Sequence, residues 1–67
     1  MTQEDIQWVT DNMLLFTTSR RYAPGELEMI FAIFNRITGQ NKKVTSCGRC
    51  VENTKKIILQ HYEIQRS

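Results

Sequence analysis

No apolar run in this chain approaches the roughly 20 residues of a membrane-spanning helix. The longest, Met29 to Phe34, is far too short, which excludes a transmembrane role. The N-terminus opens with Thr2, Gln3, Glu4 and Asp5 and has no basic n-region, so no secretory signal is expected. Cysteine is scarce: two residues cannot make the disulfide framework of a small secreted domain. A reducing compartment, or an assembly built in one, is the expected setting. The single histidine, His61, lies far along the sequence from both cysteines, which argues against a Cys–His nucleophile pair. Gly39 and Gly48 are isolated and form no phosphate-cradling loop. No segment alternates at period two, so no strand is expected. Residues 1–19 contain no lysine or arginine at all.

That last absence is half of a charge asymmetry. The first 19 residues carry Glu4, Asp5 and Asp11, whereas residues 36–56 carry Arg36, Lys42, Lys43, Arg49, Lys55 and Lys56 against Glu52 alone. Acids in a first turn and bases near a helix C-terminus suit the helix dipoles, so part of the pattern needs no function. The functional alternatives are a nucleic-acid footprint or docking onto a complementary neighbour. The net charge of +2 decides nothing between them.

Sixty-seven residues make one small domain, 1–67, which buries only about 60% of its unfolded surface. Apolar periodicity predicts an all-α, compact three-helix domain with helices near 3–17, 24–38 and 45–64. Thr2 followed by Asp5 is a capping-box-like start, and Ile6, Val9, Met13 and Phe16 form one apolar stripe. Trp8, Leu14 and Leu15 lie beside or off it. Trp8 is therefore either a cap on the small core or a contact for a partner. Residues 17–23 read as a loop, and Pro24 suits a first helical turn. Leu27, Ile30, Phe31, Phe34 and Ile37 mark the most apolar helix, expected at the centre, and Gly39 is its expected stop. Thr45 or Ser46 should cap the last helix. Val51, Thr54, Ile58 and His61 lie on its apolar stripe, with Lys55, Lys56 and Gln60 on its wet side.

Cys47-Gly48-Arg49-Cys50 has a spacing used by half a zinc site, by a redox pair, and by a small-residue packing corner. Zinc needs four ligands, or three and a water. On a continuous helix His61 would lie about 16 Å along the axis from Cys50, so one chain does not complete a site. Redox chemistry draws support from a helix N-terminus and from Arg49, but the strand-to-helix setting of thioredoxin-like motifs is missing. Packing is the favoured reading: both thiols on one helical face, with Gly48 admitting a neighbouring backbone, at a corner where the last helix meets the first two or meets a partner. No cofactor, metal, catalytic residue or small-molecule substrate is expected.

Candidate partner-binding residues are Trp8, Lys42, Lys43, Arg49, Lys55 and Lys56. Helix 2, the link and helix 3 outline a helix-turn-helix, although the link exceeds the usual 3–4-residue turn. Arg49 and Asn53, four apart, could read base edges, with Lys42, Lys43, Lys55 and Lys56 on phosphates.

The segment Asn41 to Val51, with Thr45-Ser46-Cys47-Gly48-Arg49-Cys50 opening a basic helix, comes after the helix Ile30-Phe31-Ala32-Ile33-Phe34-Asn35. Over residues 26–62 this arrangement resembles small accessory proteins of tailed bacteriophages, including the crAss-like group. The resemblance implies a non-enzymatic, capsid-associated component, made in the host cytoplasm and located in the virion, with other virion proteins as partners. It carries no catalytic residues. The alternatives are a small nucleic-acid-binding regulator and a phage effector that binds a host protein.

Overall fold

Thr2 sits in extended conformation and its hydroxyl accepts the Asp5 N–H at 3.1 Å, which starts the first helix. In the computed structural model, which describes residues 1–18, 22–23 and 25–66, that helix is α1, Gln3–Asp11. It does not continue to Thr17. A break at Asn12 separates it from a short second helix, α2, Met13–Thr17. Two further helices complete the fold, α3 (Glu26–Thr38) and α4 (Gly48–Arg66). The described residues are all-helical in class and hold no strand, but the expected three helices are four.

The break has a chemical origin. The Asn12 side chain donates to the Trp8 carbonyl at 2.9 Å, and the Asn12 backbone N–H bonds the same oxygen at 3.0 Å. Thr10 bonds back to the Ile6 carbonyl. Short polar side chains that compete for backbone partners disfavour a helix interior. The break re-phases the helical face of residues 13–17. Leu15, off the uninterrupted stripe, is buried alongside Phe16, while Leu14 is exposed.

Gly25 and Gly39 bracket α3, both at positive φ, where other residues pay a steric cost. Gly39 has φ 72° and returns its N–H to the Asn35 carbonyl, the expected stop. The start is Glu26 rather than residue 24; Pro24 lies outside the described residues, as do 19–21 of the expected loop. The Glu26 carboxylate accepts the Ala23 N–H ahead of the helix.

Val9, Leu15, Phe16, Ile30, Ile33, Phe34, Ile58 and Tyr62 form the core cluster, and Phe31 and Val51 are buried as well. α3 supplies the buried side chains Ile30, Phe31, Ile33 and Phe34, yet α4 is the element against which both α3 and α2 pack closely. The Cα radius of gyration is 10.9 Å, close to the roughly 11 Å of a compact chain this long. No helix among the described residues is long and apolar enough to cross a membrane.

Lys55 corrects the expected wet side of α4. It is 1% exposed, at the fourth position after Val51 and the third before Ile58, on the buried stripe itself. Lys56 and Gln60 do face solvent, whereas Ile64 near the end of the helix is exposed.

Candidate interaction surface and dithiol

The link from Gly39 to Cys47 is anchored by one side chain. Asn35, in the last turns of α3, donates from Nδ2 to the Lys42 carbonyl at 3.0 Å and accepts the Lys42 N–H on Oδ1 at 2.9 Å. An amide side chain matched to a backbone N–H and C=O of one residue acts as a two-point latch. It sets the link's path across the end of α3. The Lys42 ammonium lies over the Phe34 ring, 5.4 Å from its centroid, a cation–π contact at an exposed residue. Lys43 and Val44 are exposed beside it.

Arg49, Glu52, Asn53, Lys56 and Gln60 are exposed along α4, at spacings that place them on one helical face. The latched link leads directly into α4, so the exposed Lys42 and Lys43 stand just ahead of Arg49 in the chain, with Lys56 two turns further along the helix. Four of the six sequence candidates thus lie on an exposed link and helix. Trp8 belongs to another element. It is half-buried, its ring edge-on to Phe16 at 6.0 Å and 88°, and it packs against the core. Lys55 leaves the surface set altogether. Its ammonium donates to the carbonyls of Leu15 at 2.9 Å and Thr18 at 3.2 Å, and to the Tyr22 hydroxyl at 2.6 Å, with Glu52 at 3.1 Å as counter-charge. Burial works against the charged form, but the Tyr22 and Glu52 hydrogen bonds outweigh it, and the Lys55 pKa stays above the ordinary lysine value.

The acidic and basic halves are joined internally. Arg36 grips Asp5 in a bidentate pair, Nε to Oδ2 at 3.0 Å and Nη2 to Oδ1 at 2.6 Å. The Arg36 guanidinium holds the Asp5 carboxyl below its usual range, against the opposing effect of burial. Asp5, Arg36 and His61 border a shallow groove with Met1, Thr2 and Ile37. Among the described residues, no group of three or more His, Cys, Asp or Glu is placed to hold a metal ion.

The thiols do not form the expected packing corner against the other helices of the chain. Cys47 is exposed and Cys50 half-buried, and a Cβ added at Gly48 would meet nothing within 4 Å. α4 begins at Gly48, so Cys47 takes the capping place expected of Thr45 or Ser46. The Thr45 hydroxyl accepts the Cys47 N–H at 3.2 Å, and Cys47 Sγ accepts the Cys50 N–H at 3.4 Å. The core lies further along α4, at Val51, Thr54, Ile58 and Tyr62. The first turn therefore projects beyond it.

No protein-family model, curated protein or solved structure matches this chain.

Proposed function

We propose that this protein is a non-enzymatic interaction module that docks on an acidic protein surface through Lys42, Lys43, Arg49 and Lys56. The observation that carries this reading is the Asn35–Lys42 latch, which fixes a basic, exposed link instead of leaving it to wander. Pre-ordering a binding segment removes part of the entropy cost of association. Val44, half exposed among these cations, supplies an apolar contact. Trp8 is a second, separate contact, its ring already supported by Phe16. The concrete form of the proposal is a small capsid-associated component of a phage particle, with other virion proteins as partners; this part rests on the sequence resemblance alone.

A second reading is favoured by one specific observation. Arg49, Asn53 and Lys56 share an exposed face of α4, as a base-reading and phosphate-holding helix would require. The burial of Lys55 removes one of its phosphate partners, and the link from Gly39 to Cys47 is longer than a helix-turn-helix turn. Docking on protein is therefore preferred. The third form, an effector that binds a host protein, would use the same cations.

Two measurements test the choice. The protein should co-sediment with intact particles, and charge reversal at Lys42, Lys43 and Arg49 should release it. Free protein should bind random duplex DNA more weakly than about micromolar at physiological salt, the non-specific range. Tight, sequence-selective duplex binding with no particle association would establish the regulator instead.

A further inference from the structure

Cys47 and Cys50 are unabsorbed by the core and by the docking surface, yet their placement is specific. The Cys47 and Cys50 sulfurs face one another in direct contact, Cys50 Sγ as donor. Cys47 is open to solvent at the first turn of α4, where unpaired backbone N–H groups favour negative charge. Gly48 leaves open space around the turn. The two thiols also differ. The Cys50 thiol hydrogen bond, then the backbone N–H groups of Cys50 and Arg49, then the Lys42 charge draw the Cys47 pKa down, while burial opposes them. The Cys50 pKa is raised, first by its hydrogen bond to Cys47. A thiolate is the nucleophile in disulfide exchange, and a second thiol in contact with it is placed to resolve the adduct.

The geometry points to a solvent-facing dithiol that exchanges with low-molecular-weight disulfides, Cys47 attacking and Cys50 resolving. In the first step the Cys47 thiolate attacks one sulfur of the external disulfide RSSR. A Cys47–SR bond forms, the S–S bond breaks, and RS⁻ leaves and takes up a proton. In the second step Cys50 loses its proton to solvent and attacks Cys47 Sγ, expelling the second RS⁻. The dithiol is oxidised by two electrons to the Cys47–Cys50 disulfide, and RSSR is reduced to two RSH. The packed core lies beyond this turn, so both steps proceed in the folded protein. This activity is independent of the docking role.

The test is incubation of the reduced, folded protein with glutathione disulfide near neutral pH, followed by alkylation of residual thiols and intact-mass and peptide mapping. The expected product has lost two hydrogens, with Cys47 and Cys50 linked and no glutathione retained. Cys50→Ser should instead accumulate one glutathione on Cys47. Cys47→Ser should react at Cys50 more slowly than Cys50→Ser reacts at Cys47, since Cys47 is exposed at the helix terminus whereas Cys50 is half-buried within the first turn. Circular dichroism on each variant checks that it is folded. Native protein carrying glutathione on both cysteines without ring closure would overturn the proposal. So would thiols that stay inert until denaturant is added, or equal rates in the two variants.

Discussion

The Lys55 ammonium donates to the carbonyl oxygen of Leu15 at 2.9 Å, tying the middle of α4 to the end of α2. The Thr18 carbonyl, the Tyr22 hydroxyl and the Glu52 carboxylate are its other acceptors, so four oxygens share three ammonium protons. A helix as short as α2 cannot satisfy its own terminal carbonyls, and Lys55 caps them from across the fold. Lys55→Met keeps the apolar stem and removes every one of these donors. It should destabilise by about 2–4 kcal/mol, the cost of leaving buried acceptors unpaired. A small domain has only about 5–10 kcal/mol in total. Urea denaturation of the variant gives the number, and wild-type stability would show that the buried ammonium is dispensable.

Phe31 is fully buried on the apolar face of α3. Phe31→Ala should cost about 3–5 kcal/mol through the smaller buried area and the cavity left behind. Thermal denaturation checks this. A midpoint within a few degrees of wild type would contradict the assigned core.

Asp5 is buried and paired with Arg36, and its pKa is lowered. A carboxyl whose folded pKa is depressed adds stability that is present above its unfolded pKa, near 4. That stability is lost as pH falls through the lower folded value. Wild type should therefore lose stability below about pH 4 more steeply than Asp5→Asn, which should be the weaker fold at pH 7. Because the Arg36 side chain is half exposed, the pair's contribution should be modest, about 1–2 kcal/mol. Stability measured against pH in both proteins decides it, and parallel curves would count against the linkage.

Chelator should leave the helicity unchanged, because the described residues bring no third and fourth ligand to Cys47 and Cys50. Cys47→Ser and Cys50→Ser should both fold. Circular dichroism with and without chelator, together with elemental analysis, makes the check. Stoichiometric zinc, lost together with the fold, would establish a four-thiolate site shared between two chains.

Replacing Lys42, Lys43 and Lys56 by Gln separates protein docking from DNA binding. If these residues hold phosphates, the salt slope of duplex binding should flatten by about 0.9 for each phosphate no longer neutralised. If they dock on protein, particle association should fall while DNA binding stays feeble in both proteins. Lys55 is left out of this set because replacing it would test folding rather than binding.

What the sequence determined is what local chemistry decides. Thr2 as a cap, Gly39 as a stop and the apolar face of α3 each arise from spacing within one or two turns, and each stands in the fold. The exposed cations Lys42, Lys43, Arg49 and Lys56 were also legible, since surface lysines and arginines usually stay in water. The break at Asn12 had a signal in Thr10-Asp11-Asn12, but a continuous apolar stripe outweighed it. Lys55 had one too, in the spacing of Val51, Lys55, Ile58 and Tyr62, although a charge on that stripe reads as misplaced until its partners are known. Those partners are the Leu15 and Thr18 carbonyls and the Tyr22 hydroxyl, brought close only by folding. The cysteines turned on the same kind of fact. Their spacing puts them on one helical face, but whether that face is covered depends on where the core ends along α4. Burial and the pairing of buried charge are properties of distant segments meeting, so tertiary structure alone decided that Lys55 lies inside and Cys47 outside.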